Sequence, residues 1–402
     1  MDLNKLVKFY RKHLFVDIMP FWERRTLDNK FGGYITCFDR EGNVFDLDKY
    51  IWFQGRQLWT FSTLFNNFGE DPKWLAYAKH GRDFIINHAY GGDGRWFYHL
   101  DRRGTVIEKT ISIFTDLFVL SGLVEYAIAT GSDEDRKIIT DTYNAIERNV
   151  NDPNFSDIYH IKYDPRYKRH ALQMITLNVA SCVERFFGDN RTKLLSDSCL
   201  ENILYKFAND EHQALFETIS KDDNYINNPE GNVINPGHGL ESMWFCYEEG
   251  KKRKDQVILD RVGTIVNWIY EKGYDHQDGG VYAFVSLTDE KLATDWHKET
   301  GMKWSDKSFW ANAEALYTFA LMAVEKNDQD SIDRFINHQK WCLNNFYDSK
   351  FGEWYAELVK DGTPKLTDKG TKWKAAYHVP RALLKCLLLF ENNIPNTRIG
   401  KE

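Results

Sequence analysis

A short aromatic turn recurs six times along the 402-residue chain, and this repeat constrains the fold more than any other feature. It reads KFGGYITCFDREGNV (30–44), YGGDGRWFYHLDRRGTV (90–106), NDPNFSDIYHIKYD (151–164), NDEHQALFETISKDDN (209–224), HQDGGVYAFVSLTDEK (276–291) and SKFGEWYAELVKDGT (349–363). Each copy alternates apolar and polar residues around a Gly, Asp or Asn turn, the pattern of a small β-hairpin. Between copies lie paired segments with apolar residues at helical spacing, such as Tyr50, Trp52, Leu58, Trp59 and Leu64, then Trp74, Leu75, Ala78, Phe84 and Ile85. The spacing predicts twelve helices, near 3–24, 49–68, 72–89, 110–130, 133–150, 170–187, 191–208, 237–249, 255–272, 306–326, 329–346 and 374–392. The unit is helix, hairpin, helix, repeated six times. Six such repeats with no polar capping repeat at either end favour closure over an open solenoid, so the expected fold is all-α, an (α/α)6 barrel. In it the even-numbered helices form the inner layer, and the short hairpins gather where those helices begin, at the pocket end. No Pro/Gly/Ser linker or charge block divides residues 1–402, which are read as one domain.

The net charge of −7 is dispersed rather than gathered in a tail, which argues against nucleic acid or an anionic membrane surface as the main partner and for a small molecule. No run is read as approaching the roughly 18 apolar residues of a transmembrane helix, and MDLNKLVKFYRKHLF lacks a cleavable secretory pattern, so a cytoplasmic location is expected. The six cysteines, at 37, 182, 199, 246, 342 and 386, form no C-x-x-C pair and no disulfide framework, and they read as small apolar residues. Aromatic residues make up 15% of the chain, many of them in the turns, where they are suited to line a pocket for sugar rings or other flat apolar faces.

Two histidines stand out by position. In NPGHGLES (235–242), Asn235 reads as an N-cap and Pro236 as the first helical residue, where its missing N–H costs nothing. His238 then lies in the first turn of the eighth helix, where the positive end of the helix dipole is expected to keep the ring neutral, as a general base requires. Glu241, three residues on, is expected to fix its tautomer. In KAAYHVPRALLKC (374–386), Pro380 opens the twelfth helix and Val379 is biased to an extended conformation, so His378 is expected just ahead of the helix. Only the tenth helix separates the two in a six-membered inner ring, so both imidazoles are expected to approach one ligand. A lone histidine at a helix start is more often a cap or a surface residue; the matched pair is what points to chemistry.

Arg56, in WFQGRQLW, lies on a tryptophan-rich face where an unpaired charge is costly to bury. It reads either as a donor to a sugar oxygen or developing oxyanion, or as an ion-pair partner of a neighbouring helix. Glu314, in FWANAEALYTF on a face with Trp310, has the same two readings. YDHQDGG and DWHKE lack the geometry of a metal motif such as H-E-x-x-H, so no metal is expected. The chain has neither a G-x-x-x-x-G-K-[ST] loop nor a G-x-S-x-G elbow, which argues against nucleotide hydrolysis and serine hydrolase chemistry.

Five segments in order, GGYITCFDREGNVFDLDKYIWFQGRQLW, NPGHGLESMWF, DHQDGGVYAF, FGEWYAEL and KGTKWKAAYHVPR, resemble the N-acylglucosamine 2-epimerase family, also called renin-binding proteins in mammals, over about residues 20–390. The resemblance implies an (α/α)6 barrel and reversible inversion at C2 of N-acetyl-D-glucosamine to give N-acetyl-D-mannosamine, in sialic acid metabolism. It makes His238 and His378 the two catalytic histidines, Arg56 the active-site arginine, and Glu314 and Arg381 pocket residues. Trp310, Glu241 and Asn178 complete the expected set around the sugar. Relatives acting on unmodified sugars, the cellobiose 2-epimerases and mannose isomerases, usually carry a further histidine on the sixth helix, where LQMITLNVASC has Asn178; such sugars are the alternative substrates. Many relatives have His or Gln where this chain has Asn312, which touches the details of sugar recognition. No cofactor is expected to be required. Some members are activated by ATP without consuming it, and ATP enters only as such an activator; a homodimer is expected by analogy. A glycoside hydrolase or lyase on the same barrel would need paired acids across the pocket. A protein that only binds a partner would not need two histidines at matched helix starts.

Overall fold

Among the described residues, inner helices pack in a closed ring and strands ahead of four of them pair with the following turn. The computed structural model describes residues 1–69, 71–152, 155, 166–288 and 301–395, with only the backbone given at 109–111. Among the described residues twelve helices run in order. They are α1 (Leu3–Lys12, prolonged by a π-helical turn His13–Ile18 and by Met19–Glu23), α2 (Ile51–Asn67), α3 (Lys73–His88), α4 (Ile113–Thr130), α5 (Arg136–Val150) and α6 (His170–Phe187). The second half holds α7 (Lys193–Glu201, prolonged by a π-helical turn Asn202–Phe207), α8 (Pro236–Arg253), α9 (Gln256–Gly273), α10 (Phe309–Lys326), α11 (Gln329–Asn345) and α12 (His378–Asn392). Even-numbered helices pack on one another in sequence, α2 on α4 through to α10 on α12, and α12 returns to α2. Each outer helix covers the inner one before it, α3 on α2 and α9 on α8, and α1 covers α12. The (α/α)6 barrel expected from the repeat is the fold observed.

The sequence pattern explains the two layers. Outer helix α3 buries Trp74, Ala78, Gly81, Phe84 and Ile85, a single stripe, whereas α2 is buried without a break from Ile51 to Leu64. Helix α4 is apolar and long enough to cross a bilayer, contrary to the expectation that no such segment exists, but it lies between α2 and α6 with most of its surface buried. Helices α2 and α4 approach closely at Gly55 and Gly122: a Cβ on Gly55 would lie 2.7 Å from the backbone of Phe118, and one on Gly122 would lie 2.6 Å from the Gly55 carbonyl oxygen.

The aromatic turns do form short strands, but these pair across repeats as well as within them. The segment before α2, Lys49–Tyr50, pairs with Arg95–Leu100 of the second turn. Tyr167–Arg169 before α6 pairs with Thr218–Ser220, Val233–Ile234 before α8 with Val285–Ser286, and Lys307–Ser308 before α10 with Glu357–Leu358. Gly370, ahead of α12, bridges to Phe38 of the first turn, which completes the ring. Of the third turn, only residues 151, 152 and 155 fall among the described ones, and DWHKE (295–299) lies outside them. Two helix boundaries differ from expectation. Residues 106–111 form a strand paired with Arg95–Leu100 rather than the first turn of α4. His378 is the first residue of α12 instead of preceding it, because Pro380 is tolerated anywhere in a first turn, where backbone N–H groups have no helical partner.

Aligning three turns exposes a clamp that the hairpin pattern hid. In LDNKFGG, YDHQDGG and YDSKFGE the aspartate carbonyl (Asp28, Asp275, Asp348) accepts from the N–H of Gly32, Gly279 or Gly352 at 2.8 Å. Each carboxylate holds a buried lysine arriving from beyond the turn: Lys49 on Asp28 at 3.0 Å, Lys307 on Asp275 at 2.9 Å, Lys369 on Asp348 at 3.0 Å. From the other side, inner-helix side chains pin the turn backbone. Gln54 accepts from Tyr34 N at 2.7 Å, Asp116 from Trp96 N at 2.9 Å and Asn312 from Val281 N at 2.8 Å. Replacing Lys307 by Met strands Asp275 as a buried charge and is expected to cost about 3–5 kcal/mol of unfolding free energy, measured by urea titration. Lys137→Met, at an exposed helix pair with Asp141, is expected to cost under about 0.5 kcal/mol.

Candidate active site

The start of α8 is built as its sequence requires: Asn235 caps the helix, its side chain accepting from the His238 N–H at 3.1 Å, and Pro236 is the first helical residue. The His238 ring is held by a group from the preceding turn. Its Nδ1 lies 3.0 Å from Glu217 Oε2 and 3.1 Å from Asn235 Nδ2, which leaves Nε2 for chemistry. Glu217 also lies 3.8 Å from Nδ1 of His170, the first residue of α6. Burial disfavours the imidazolium, but the Glu217 carboxylate, with Glu241 adding to it, outweighs burial and the opposing Arg56, so the pKa of His238 sits above its ordinary value. Glu217, although burial acts to raise it, is held well below the usual carboxylate range by His238 and His170. The expected neutral His238 is therefore corrected: a full carboxylate charge at 3.0 Å outweighs the roughly half charge of a helix N-terminus. The carboxylate beside the ring is that of Glu217, whereas Glu241, expected there, is bonded to Arg381.

His378 has the same anchoring and opposite electrostatics. Its Nδ1 lies 2.7 Å from Glu314 Oε1. That carboxylate is shared: Arg381 donates to Glu314 Oε1 at 2.7 Å, to Glu241, and to the Tyr377 hydroxyl at 2.8 Å, while Trp244 Nε1 donates to Glu314 Oε2 at 2.9 Å. Burial, followed by the positive charge of Arg56 and then that of Arg381, against the opposing Glu241, drives the His378 pKa well below its ordinary value. Glu241, Glu314 and Arg381 were expected around the sugar; all three are buried and bonded to one another behind His378. Ligand atoms of Glu241, Glu314 and His378 lie within 4.8 Å of one another, a donor set that would suit a cation, and here the Arg381 guanidinium supplies the positive charge to both carboxylates.

Trp310, on the helix between, touches both imidazoles, with ring centroids 5.1 Å from His238 and 5.8 Å from His378. Arg56, Glu241 and Glu314 occupy the same position in α2, α8 and α10, counted from Ile51, Pro236 and Phe309. The Arg56 guanidinium lies in an aromatic box, 4.0 Å from the Phe118 ring, 4.9 Å from Tyr377, 5.0 Å from Trp52 and 5.3 Å from Phe53. The His238 side chain is 26% exposed and that of His378 only 7%, so the pair is more open to solvent on the His238 side. Two imidazoles anchored at Nδ1, one with its pKa raised and one with its pKa lowered, make an arrangement suited to acid–base chemistry.

A model of the N-acylglucosamine 2-epimerase (GlcNAc 2-epimerase) family matches residues 33–382. The chain belongs to that family. It is 28% identical over 387 residues to the N-acylglucosamine 2-epimerase of Bos taurus, covering 93% of this chain and 89% of that protein. It is 24% identical over 403 residues to the cellobiose 2-epimerase of Dictyoglomus turgidum, covering 96% and 99%. The solved structure of the cellobiose 2-epimerase of Bacillus thermoamylovorans superposes with a TM-score of 0.82 at 19% identity, covering 97% of this chain and all of that one, and shares the barrel. The enzymes of the N-acylglucosamine 2-epimerase family are isomerases of carbohydrates.

Two expected pocket positions lie apart from this network. Asn178 is half-buried on α6, and no hydrogen bond among the described residues joins it to the histidines or their carboxylates. Asn312 is buried and its amide is bonded to the backbone of Val281 and Ser308, so it secures a turn. Glu217, His170, Trp244 and Tyr377 went unnoticed in the sequence. Glu217 sits inside a repeat copy, ALFETIS, but nothing local marks it as the partner of His238. Arg381→Met removes a cation beside His378, so the His378 pKa is expected to rise; titration of 15N-labelled histidines by NMR reads the shift. The same change strands Glu241 and Glu314, with an expected loss of about 3–5 kcal/mol in urea unfolding.

Proposed function

We propose that the protein interconverts N-acetyl-D-glucosamine and N-acetyl-D-mannosamine by inverting C2, with His238 and His378 exchanging the C2 proton. The observation that carries this is Trp310 in contact with two imidazoles, each anchored through Nδ1 on its own carboxylate. The C2 proton becomes acidic only in the open-chain sugar, where the C1 aldehyde delocalises the charge as an enediolate-like enolate, with the acetamido nitrogen in place of the second oxygen. His378, biased to neutral by burial and by two arginines, takes the proton through Nε2 in one direction. His238, biased to imidazolium by Glu217, returns a proton on the opposite face. In the reverse direction the roles exchange. Arg56 stabilises the negative oxygen at C1, and its aromatic box, which includes Tyr377 next to His378, holds it near the histidines. Trp310 packs against the sugar between the two bases.

The identity with N-acylglucosamine 2-epimerases supports the N-acetyl substrate over the unmodified sugars of the cellobiose 2-epimerases. Family likeness alone supports the rest of the proposal: a cytoplasmic homodimer in sialic acid metabolism that requires no cofactor and takes ATP only as a non-consumed activator. Proton NMR in deuterated water with N-acetylglucosamine, N-acetylmannosamine, glucose, mannose and cellobiose tests it. Epimerisation with deuterium entering C2 is expected for the N-acetyl sugars, and turnover confined to the unmodified ones would refute the assignment. His238→Ala and His378→Ala are each expected to lower kcat by at least about 10²–10⁴-fold. Because catalysis needs one proton on the pair, kcat/KM is expected to follow a bell with its acid limb below and its alkaline limb above the ordinary histidine value of about 6.5.

A further inference from the structure

Glu217 lies between the strands Ala214–Leu215 and Thr218–Ser220 of the fourth aromatic turn, ahead of α8 in the chain. Its backbone is fixed at both ends: its N–H donates to the Val233 carbonyl at 3.1 Å, and its carbonyl accepts from the His170 N–H at 3.0 Å. Val233 belongs to the strand that leads into α8, and His170 opens α6. The carboxylate is thus held between two inner-helix starts, 3.0 Å from His238 Nδ1 and 3.8 Å from His170 Nδ1. His170 is tied in turn to α8, its Nε2 lying 3.1 Å from Ser242 Oγ, which donates to the Gly239 carbonyl at 2.9 Å. Glu314, the partner of His378, shares its charge with Arg381 and Trp244. The side-chain partners of Glu217 among the described residues are these two histidines, so its charge acts on His238 undivided by any arginine.

We infer that Glu217 is the positioning residue of His238: it holds the Nδ1–H tautomer that turns Nε2 to the C2 proton, and it stabilises the imidazolium that His238 becomes in each cycle. This rests on the reading that His238 exchanges the C2 proton. A carboxylate with no arginine partner among the described residues suits the histidine of higher pKa, as the arginine-shared carboxylate suits the one of lower pKa. The other charged groups acting on His238 are Arg56 from α2, Glu241 from α8 and His378 from α12, and all of them stay in place when Glu217 is changed.

Glu217→Gln removes the charge while keeping an acceptor for Nδ1–H, and Glu217→Asp keeps the charge while shortening the reach. Circular dichroism and melting temperature establish that each variant folds, and epimerisation kinetics across pH then read the role. For Glu217→Gln, kcat is expected to fall about 10- to 100-fold with KM within about threefold of the wild type. The alkaline limb of kcat/KM, which His238 sets as the histidine of higher pKa, is expected to move to lower pH, and the acid limb set by His378 is expected to stay. Both directions must show the same displacement, because the sugar equilibrium fixes the ratio of the two kcat/KM values. For Glu217→Asp the limb is expected near its original place while kcat falls, and this variant carries the test if the glutamine form does not fold. A folded Glu217→Gln enzyme with an unmoved alkaline limb overturns the inference, whatever its kcat. His238→Ala measured alongside separates the two levels: activity retained there removes the two-histidine reading itself, whereas activity lost there with unmoved limbs in Glu217→Gln removes only the role of Glu217.

Discussion

The inner helices of this barrel have no side turned to solvent for most of their length, and the pairing of their polar groups follows from that enclosure. A polar group buried without a partner costs on the order of 1–3 kcal/mol, and an uncompensated charge costs more. Charged and amide side chains brought into the inner layer accordingly meet counterparts from another inner helix or from a neighbouring turn. Arg381 of α12 meets Glu241 of α8 and Glu314 of α10. Gln54 of α2 meets the backbone of Tyr34, and Lys307 meets Asp275. These pairings lie at the starts of the inner helices, where the turns converge. The end of the barrel that carries the histidines is thus the end most heavily cross-linked by buried charge, and a constellation built on helix starts and locked by such bonds is rigid enough to place two bases around one carbon.

The repeat made the architecture legible. A hairpin pattern of period two, alternating with paired segments of period 3.6, is a local signal, and counting it to six leads to a ring once open ends are ruled out. The N-cap at Asn235 and the helix-start placement of His238 were legible for the same reason. Pairing between each turn and the segment that leads into the inner helix was not. The strand at 106–111 looks like an approach to α4 until Arg95–Leu100 is seen beside it, and Lys49 looks like a surface lysine until it is found on Asp28. The three Asp-x-x-x-Gly turns were present in the sequence; their lysines arrive from 21 or 32 positions downstream, a spacing that no motif fixes.

The same limit governs the charge of the two histidines. Sequence placed both at helix starts, and a helix start alone favours a neutral ring. What separates them comes from elsewhere in the chain: Glu217 for His238, and Arg56 from α2, with Arg381 acting through Glu314, for His378. Two residues of one type, at matching ends of two inner helices, acquire opposite tendencies because the Glu217 charge outweighs burial at one, whereas burial, Arg56 and Arg381 prevail at the other.

That difference cannot favour one epimer over the other. The free enzyme with its proton on His238 and the form with its proton on His378 hold the same number of protons, and the equilibrium between the sugars fixes the ratio of kcat/KM in the two directions whatever the balance between those forms. The consequence falls on pH. Two histidines with equal affinities and no coupling would share a single proton over a narrow interval near 6.5, with doubly protonated and doubly neutral pairs crowding in on either side. Driving one pKa up through Glu217 and the other down through burial and arginine widens the interval in which the pair carries one proton. Under two-base chemistry that singly protonated pair is the active form, so the unequal carboxylates hold the barrel competent in both directions across a broad range of pH, at whichever epimer it meets.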